Sequence, residues 1–420
     1  MKKALATILA LVMAIGLCSV SWATESGLPA AVNGVIKLTE NVTLTERWEV
    51  AADKEITLDL NGYSITSAGQ VIMNNGKLTI TDNKGGGKIV STGSQAIGVG
   101  SNSVTNIQKA IVESVEGAVI TGYATGATIN IYDGTFSASD NAVIAGNGKS
   151  REGTGNTINI SGGVFNGKIT TPGYVACGIY APWKDNINVT GGTFNITGGA
   201  GIVARAGNVT VTNAVFNTTG NATGKVGDSR VVVPCSAIVF DSQANYPAMD
   251  QDSIIHVVSG KFNSEVDAVS MVKNDNETDR VAVTGGTFSS DVSDFVDSQP
   301  VAQRNNGEYV VGTSAVVSAA NTDGSITIVE GNDAQLTGVN PGVKVVVRGS
   351  AVSVNGTRVT NDDVNGYTVP SRYYYYPTTD TKTTDTKGSP KTFDAGIALY
   401  VGMALTSAAG VAFVGKKRED

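Results

Sequence analysis

A short block of small residues that ends in phenylalanine returns six times in this chain of 420 residues. Three copies (Gly162–Phe165, Gly191–Phe194 and Gly285–Phe288) have glycine both two and three positions before the ring. Glycine accepts the backbone angles of a tight corner, so each block predicts a sharp turn with the aromatic side chain directed inward. Repetition at this length predicts a solenoid, in which each coil buries its apolar face against its neighbours. The rings predicted to stack as an inner column are Phe136, Phe165, Phe194, Phe216, Phe262 and Phe288.

Each block follows a short run in which apolar and polar residues alternate. In the first copy this run contains Ile129, Asn130 and Ile131. A period of two predicts a strand whose apolar side chains face inward and whose polar side chain faces outward. Because the same outward position holds asparagine in three consecutive copies, stacked coils are predicted to form an outer ladder through Asn130, Asn159 and Asn188.

A second apolar pair recurs between the blocks and predicts a further strand in each coil. The pairs that end at Ile97, Val119 and Val143 are 22 and 24 residues apart. Two or more strands in a coil of this length, without helical periodicity, favour a parallel β-helix over a propeller or a sandwich. The aligned pairs are Ala96 and Ile97, Ala118 and Val119, Ala142 and Val143, Gly178 and Ile179, Gly201 and Ile202, Ala237 and Ile238, and Ala268 and Val269.

These repeats resemble the pectin-lyase-like right-handed β-helix over roughly residues 40 to 312. The resemblance implies an all-β, right-handed parallel β-helix, which we assign to residues 24–312. It implies little about chemistry, because one architecture carries many activities. Residues 313–369 lack the phenylalanine block, and the apolar runs at 325–329 and 343–347 predict strands of a small β module or cap.

The amino terminus has the features of a secretory signal peptide. Lys2 and Lys3 precede an apolar run over residues 4–20, and Ala23 ends a small-x-small cleavage site. We therefore expect residues 1–23 to be removed and the chain to be exported.

The carboxyl terminus predicts an anchor. Residues 370–388 contain Thr-Thr-Asp-Thr-Lys twice and predict a disordered spacer. An uncharged apolar run at 397–414 is long enough for a transmembrane helix, and a basic tail follows it. The motif before this run consists of Ser389, Pro390, Lys391, Thr392 and Phe393.

This order over residues 389–420 resembles the cell-wall sorting signal of Gram-positive surface proteins. Pro390 and Thr392 match its Leu-Pro-x-Thr-Gly pentapeptide, whereas Ser389 replaces leucine and Phe393 replaces glycine. The resemblance implies that a sortase cuts after Thr392 and joins the protein to peptidoglycan. The alternative is a plain membrane anchor through 397–414, and both place the protein on the cell surface.

The composition of the chain disfavours several classes of partner and cofactor. The net charge of −7 disfavours nucleic acid as a partner, because a phosphate backbone requires a basic surface. The chain has three cysteines and one histidine, without the spacing of a zinc site, so we predict no metal and no cofactor. Cys177 and Cys235 lie two coils apart in the alignment and are predicted to be free, buried thiols.

Extra residues collect after the second strand of several coils, at 146–156, 180–186 and 241–252. Coils in register would bring these loops to one side, and we call this predicted surface the loop wall. Aromatic faces beside hydrogen-bonding groups are suited to sugar recognition. Trp183 is predicted to be its exposed centre, in a loop that Pro182 stiffens. The candidate ligand-binding residues are Tyr123, Tyr180, Trp183, Tyr246, Lys184, Asp185, Arg205 and Asp241.

The ionisable residues of the loop wall admit a catalytic alternative. Arg205 and Asp241 each follow the aligned isoleucine of neighbouring coils by three residues, which places them about 4.8 Å apart along the stack. A surface ion pair is the favoured interpretation, and a catalytic arginine is the alternative. Asp241, Asp250 and Asp252 lie on one loop that could also supply two hydrolytic carboxylates, but solvated acidic side chains are the favoured interpretation.

The sequence therefore favours a non-catalytic adhesin or glycan-binding protein, anchored to the surface of a Gram-positive bacterium. No catalytic residue is assigned. The first alternative is a cell-surface polysaccharide lyase or glycoside hydrolase, which would require paired ionisable groups in a cleft. The second alternative is a structural surface stalk with a featureless face.

Overall fold

A computed structural model describes residues 27–122, 124–139, 141–146, 155–227, 232–241, 254–272 and 280–371. These residues are predominantly β and form long parallel sheets, so the prediction of an all-β chain is confirmed at this level. The described residues contain no helix long and apolar enough to cross a membrane. The predicted signal peptide, sorting motif and transmembrane helix lie outside them, as does the predicted spacer from residue 372 onward.

Three sheets run along the repeated part, with strands numbered in chain order. Sheet A contains β1 (Val35–Lys37), β4 (Glu55–Asp59), β7 (Lys77–Thr81), β10 (Val104–Ile107), β13 (Thr128–Ile131), β16 (Thr157–Ile160), β19 (Asn186–Val189), β22 (Asn208–Val211), β27 (Ile254–Val257) and β30 (Val281–Val283). Sheet B contains β2 (Val42–Leu44), β5 (Ser64–Ser67), β8 (Lys88–Ser91), β11 (Ile111–Ser114), β14 (Thr135–Ser139), β17 (Val164–Lys168), β20 (Thr193–Thr197), β23 (Ala214–Thr219), β28 (Gly260–Ser264) and β31 (Gly286–Phe288). Sheet C contains β3 (Trp48–Val50), β6 (Ile72–Asn74), β9 (Gln95–Val99), β12 (Gly117–Ile120), β15 (Ala142–Ala145), β18 (Ala176–Ala181), β21 (Gly199–Ala204), β26 (Ile238–Asp241) and β29 (Val269–Val272).

The chain visits the three sheets in turn, as a β-helix or solenoid requires. Through most of the stack each strand pairs in parallel with the strand three further along; β13, for example, pairs with β16. The phenylalanine block therefore opens a third strand in each coil rather than only a corner. Inward isoleucines and valines meet their counterparts in the next coil, so one continuous apolar core fills the stack.

The predicted aromatic column is confirmed. Neighbouring rings are parallel within 10°, and their centroids are 4.4 to 5.6 Å apart. All six rings are fully buried. Parallel pairing of sheet B places each ring directly opposite the next, as with Phe165 and Phe194.

The corners before the rings use a left-handed backbone. Gly192 has a φ of +98°, and a Cβ there would lie 3.2 Å from Gly163 O and from Phe165 Cε2. In the fourth block alanine stands at this place, and the positive φ moves back one residue to Asn213, at +57°. Asparagine is the usual non-glycine residue in this conformation.

The predicted asparagine ladder is also confirmed. Asn188 Nδ2 donates to Asn159 Oδ1 at 2.9 Å, and Asn159 Nδ2 donates to Asn130 Oδ1 at 2.8 Å. The ladder continues to Asn106, which accepts from Asn130 at 2.8 Å.

A hairpin inserted after β23 covers part of the outer face of sheet C. Its strands are β24 (Thr223–Lys225) and β25 (Val232–Pro234). Val233 of the hairpin is buried in a small apolar layer that includes Cys177 and Cys235. Both cysteines are free and buried, as predicted, and burial raises the pKa of each thiol.

The last part of the described chain continues sheet B mainly with antiparallel pairs. Sheet B runs from β31 to β33 (Tyr309–Val311), β32 (Val301–Gln303), β34 (Ser325–Glu330), β36 (Lys344–Val347) and β39 (Tyr367–Thr368). Among the described residues, β34 and β36 form the one parallel pair of this continuation. A separate small sheet contains β35 (Gln335–Leu336), β37 (Val352–Val354) and β38 (Thr357–Val359). These strands bury a second apolar core, and the strands predicted at 325–329 and 343–347 are present.

The sequence analysis missed a helix in this part. Helix α1 (Thr313–Asp323) begins after Gly312 and ends before Gly324, which has a φ of +71°. It buries Val316, Ala319 and Ala320, which have the spacing of one helical face. A short 3₁₀ helix (Ser293–Phe295) precedes β32.

Candidate functional site

The loop-wall residues that the structure describes lie where the chain passes from sheet C to sheet A. Trp183, Lys184 and Asp185 join β18 to β19, Arg205 directly follows β21, and Asp241 ends β26. Tyr180 lies within β18 and is half-buried. Tyr123 and Tyr246 lie outside the described residues, as do Asp250 and Asp252.

The predicted exposure of Trp183 is wrong, because its side chain is fully buried. The loop of the next coil lies directly against this turn: a Cβ at Gly207 would come within 2.6 Å of Trp183 O. The turn is also closed on itself, since Asp185 N donates to Trp183 O at 2.7 Å. Within the described part of the chain, the indole Nε1 has no hydrogen-bond partner. Glycan binding by Trp183 stays a prediction, but the solvent exposure that this prediction required is absent from the structure.

Asp185 is buried and holds the neighbouring coil. Its Oδ1 accepts hydrogen bonds from Asn156 N at 2.8 Å and from Asn156 Nδ2 at 3.0 Å. Asn156 is buried as well, and its Oδ1 accepts from Ala127 N at 3.0 Å. Two buried polar side chains thus connect three successive coils, which is a structural arrangement.

Arg205 and Asp241 form an ion pair between adjacent coils, as their alignment predicts. Arg205 Nε lies 3.0 Å from Asp241 Oδ2. The predicted surface location is wrong, because only 4% and 0% of the two side chains are exposed. Parallel pairing of Ala204 with Phe240 brings the next residues face to face inside the corner. Arg205 Nη1 also donates to the Tyr180 hydroxyl at 3.4 Å.

At the corner between sheets C and A, the buried polar side chains therefore contact one another: Arg205 contacts Asp241, and Asp185 accepts from Asn156. Arg205 contacts a carboxylate of one neighbouring coil and a phenol of the other, so it joins three coils at this corner. Lys184 is half-buried beside these residues. In the described ranges, no group of three or more His, Cys, Asp or Glu side chains is placed to hold a metal ion.

A second concave site lies where the chain passes from sheet B to sheet C, and the sequence analysis missed it. It has a volume of about 320 Å³ and spans three consecutive coils. Its lining residues are Val115, Glu116, Ser139, Asn141, Thr171, Tyr174 and Gly227. We call it the tyrosine cleft, because Tyr174 is exposed over 37% of its surface.

The backbone holds Tyr174 in place. Tyr174 N donates to Thr171 O at 3.3 Å, and Gly173 between them has a φ of +84°. The inserted hairpin supports this turn through two backbone hydrogen bonds of Lys225. Lys225 N donates to Gly173 O at 3.0 Å, and Val175 N donates to Lys225 O at 2.8 Å. The ring is therefore presented by hydrogen-bonded backbone on both sides.

Polar groups surround the ring. Glu116 is exposed, and one of its carboxylate oxygens accepts from Ser94 Oγ at 3.2 Å. Asn141 Oδ1 accepts from Ala142 N at 2.8 Å, which orients the amide at the edge of the cleft. The sequence signal for this cleft is a tyrosine within the seven residues that separate β17 from β18. The predicted loop wall included only loops that follow the strands of sheet C.

In comparisons with known proteins, no protein-family model, curated protein or solved structure matches this chain.

Proposed function

We propose that this protein is exported, held at the surface of a Gram-positive bacterium, and binds glycans without catalysing their cleavage. The signal-peptide pattern and the sorting-like motif support the location. We further propose that the solenoid is a right-handed parallel β-helix of the pectin-lyase-like kind. The three-sheet coil supports this, because parallel strands are joined by right-handed connections in nearly all known sheets.

The tyrosine cleft is the observation that carries the binding proposal. A sugar ring has an apolar face of C–H groups and a rim of hydroxyls, so it suits an aromatic ring beside polar groups. Tyr174 offers the ring, and Asn141, Thr171 and Glu116 offer an amide, a hydroxyl and a carboxylate in the same concavity. The fixed backbone around Tyr174 lowers the conformational entropy lost on binding.

The experiment is a glycan array with the purified full chain, followed by titration of the best ligand. Tyr174→Ala is expected to weaken binding at least about ten-fold, which corresponds to 1.4 kcal/mol. Tyr174→Phe keeps the ring and serves as the matched control, with affinity close to that of the parent.

The same samples test the alternatives. Release of reducing ends or unsaturated uronates from the bound glycan would replace the binding proposal with an enzyme. A parent protein that binds no glycan on the array would contradict the proposal and favour a structural stalk.

A further inference from the structure

The outer face of sheet A carries a block of uncharged polar residues in four consecutive coils. The strands are β13, β16, β19 and β22, and the block also includes the residue directly after each of these strands. Every outward position is threonine, asparagine, serine or tyrosine. We call this surface the neutral face, and it consists of Thr128, Asn130, Tyr132, Thr157, Asn159, Ser161, Asn186, Asn188, Thr190, Asn208, Thr210 and Thr212.

The neutral face is a regular array. Parallel pairing without a register shift aligns the same position of each coil, as in the row Asn130, Asn159 and Asn188. Neighbouring coils are about 4.8 Å apart, and alternate residues within a strand are about 6.6 Å apart. The array therefore repeats hydrogen-bonding groups in two directions.

The amides of this array are held in fixed orientation. Asn159 and Asn188 each donate one N–H to the preceding asparagine, at 2.8 and 2.9 Å. Each amide nitrogen has a second hydrogen, and Asn188 is exposed to solvent. Groups already fixed in this way lose little freedom when a ligand binds.

Charge distinguishes this surface from the first coils of sheet A. In the first coils the same outward positions carry Glu55 and Lys77, which form an ion pair, and Asp59, which lies near Lys37. The neutral face offers no countercharge to an ionic ligand. Its one large exposed apolar group is the ring of Tyr132, exposed over 52%.

We propose that the neutral face binds an extended, uncharged polysaccharide that lies along the stack, with about one sugar unit per coil. A β-linked pyranose chain advances per sugar by a distance close to the coil spacing, so its hydroxyls would meet one row of amides and hydroxyls after another. Tyr132 lies at the edge of the first of these coils and stacks on a sugar ring. This inference rests on the proposed glycan-binding function and adds a second, polymer-binding surface to the tyrosine cleft.

The test measures co-sedimentation of the full chain with suspended cellulose and chitin. Asn188→Lys places a charge at the centre of the neutral face and is expected to reduce binding at least ten-fold. The matched control is Asn195→Lys, which alters the same coil in a second asparagine ladder, on the outer face of sheet B. This control is expected to bind like the parent. Tyr132→Ala is expected to weaken binding several-fold.

Stability is checked by thermal melting of each variant. If Asn188→Lys melts below the parent, Thr190→Lys replaces it, because that exposed residue lies outside the ladder. Equal loss of binding in the sheet A and sheet B variants, or no loss in either, would overturn the inference.

These experiments distinguish failure of polysaccharide binding at the neutral face from failure of the proposed glycan-binding function. Binding that responds to Tyr174→Ala but not to Asn188→Lys would remove the neutral face and leave glycan binding in place. A parent protein that binds neither soluble glycans nor polysaccharides removes both proposals. Ice shaping or thermal hysteresis without polysaccharide binding would reassign the neutral face to ordered water and overturn the inference.

Discussion

Arg205 Nε lies 3.0 Å from Asp241 Oδ2, and this contact joins two coils in a corner where both side chains are buried. The Asp241→Leu substitution removes the carboxylate that faces the buried Arg205 guanidinium at this contact. We therefore expect Asp241→Leu to lower the free energy of unfolding by roughly 3 to 5 kcal/mol, measured by denaturant titration.

The double variant Arg205→Met with Asp241→Leu is the control. Replacing both charges with apolar groups of similar size is expected to restore most of the lost stability. A single variant as stable as the parent would contradict the buried pair.

Phe194 lies between two other rings, with centroids 4.4 and 4.5 Å away. Phe194→Ala is expected to destabilise the protein by roughly 3 to 5 kcal/mol, because it opens a cavity in the column. Thr193→Ala, at the preceding half-buried position, is expected to cost less than about 1 kcal/mol. Similar melting temperatures for the two variants would argue against a continuous core.

Trp183 is expected to act as a packing residue. Trp183→Ala should cost roughly 3 to 5 kcal/mol of stability through the cavity it leaves. The neighbouring half-buried Lys184 serves as the control, and Lys184→Ala is expected to cost clearly less than Trp183→Ala because it removes no buried ring. A Trp183→Ala protein with normal stability and lost glycan binding would return this residue to the ligand surface.

The contact between the last coils and the following strands should be sensitive to acid. Hydrogen bonds from Asn306 and Lys261 hold the pKa of Glu308 below its ordinary value, and those from Arg304 lower the pKa of Asp323. Since both pKa values are lower in the folded state, their stabilisation is complete above the unfolded value of about 4. It is lost as the pH falls through the lowered values.

Thermal melting between pH 6 and pH 2 measures this dependence. The double variant Glu308→Gln with Asp323→Asn lacks both titrating groups and should show a shallower fall of melting temperature in acid. Parallel acid profiles for the variant and the parent would contradict the assignment.

Anchoring can be tested on intact cells. If a sortase recognises the motif at 389–393, Thr392→Ala should make the protein extractable with detergent, whereas the parent is released only by cell-wall hydrolases. Equal detergent release of both proteins would indicate a plain membrane anchor through 397–414.

The local sequence pattern was sufficient to predict the architecture of a single coil. Alternation of side chains assigns Ile129 and Ile131 to the inside and Asn130 to the outside, and repetition aligns these positions with their counterparts in the next coil. The aromatic column and the asparagine ladder follow directly, because both depend only on identical residues at aligned positions. The pairing of Arg205 with Asp241 was predictable for the same reason. In sheet C one alignment is wrong by a residue, because Ile144 and not Val143 pairs with Val119 and Ile179.

Helix α1 was missed although its signals are in the sequence. Val316, Ala319 and Ala320 have helical spacing between Gly312 and Gly324. The residues around it form short strands, and expectation of a uniform β module outweighed the local signal.

Burial at the corners was decided by the tertiary structure. Whether Trp183 faces solvent depends on the loop of the following coil, which includes Gly207 and lies directly against it. The sequence by itself determined that Trp183, Asp185 and Arg205 lie on one side of the stack, because each of them follows the same strand of its repeat. Only the packing of one coil on the next decided that these three residues lie inside the corner between sheets C and A. The same packing decided that Tyr174, at the corner between sheets B and C, faces an open cleft.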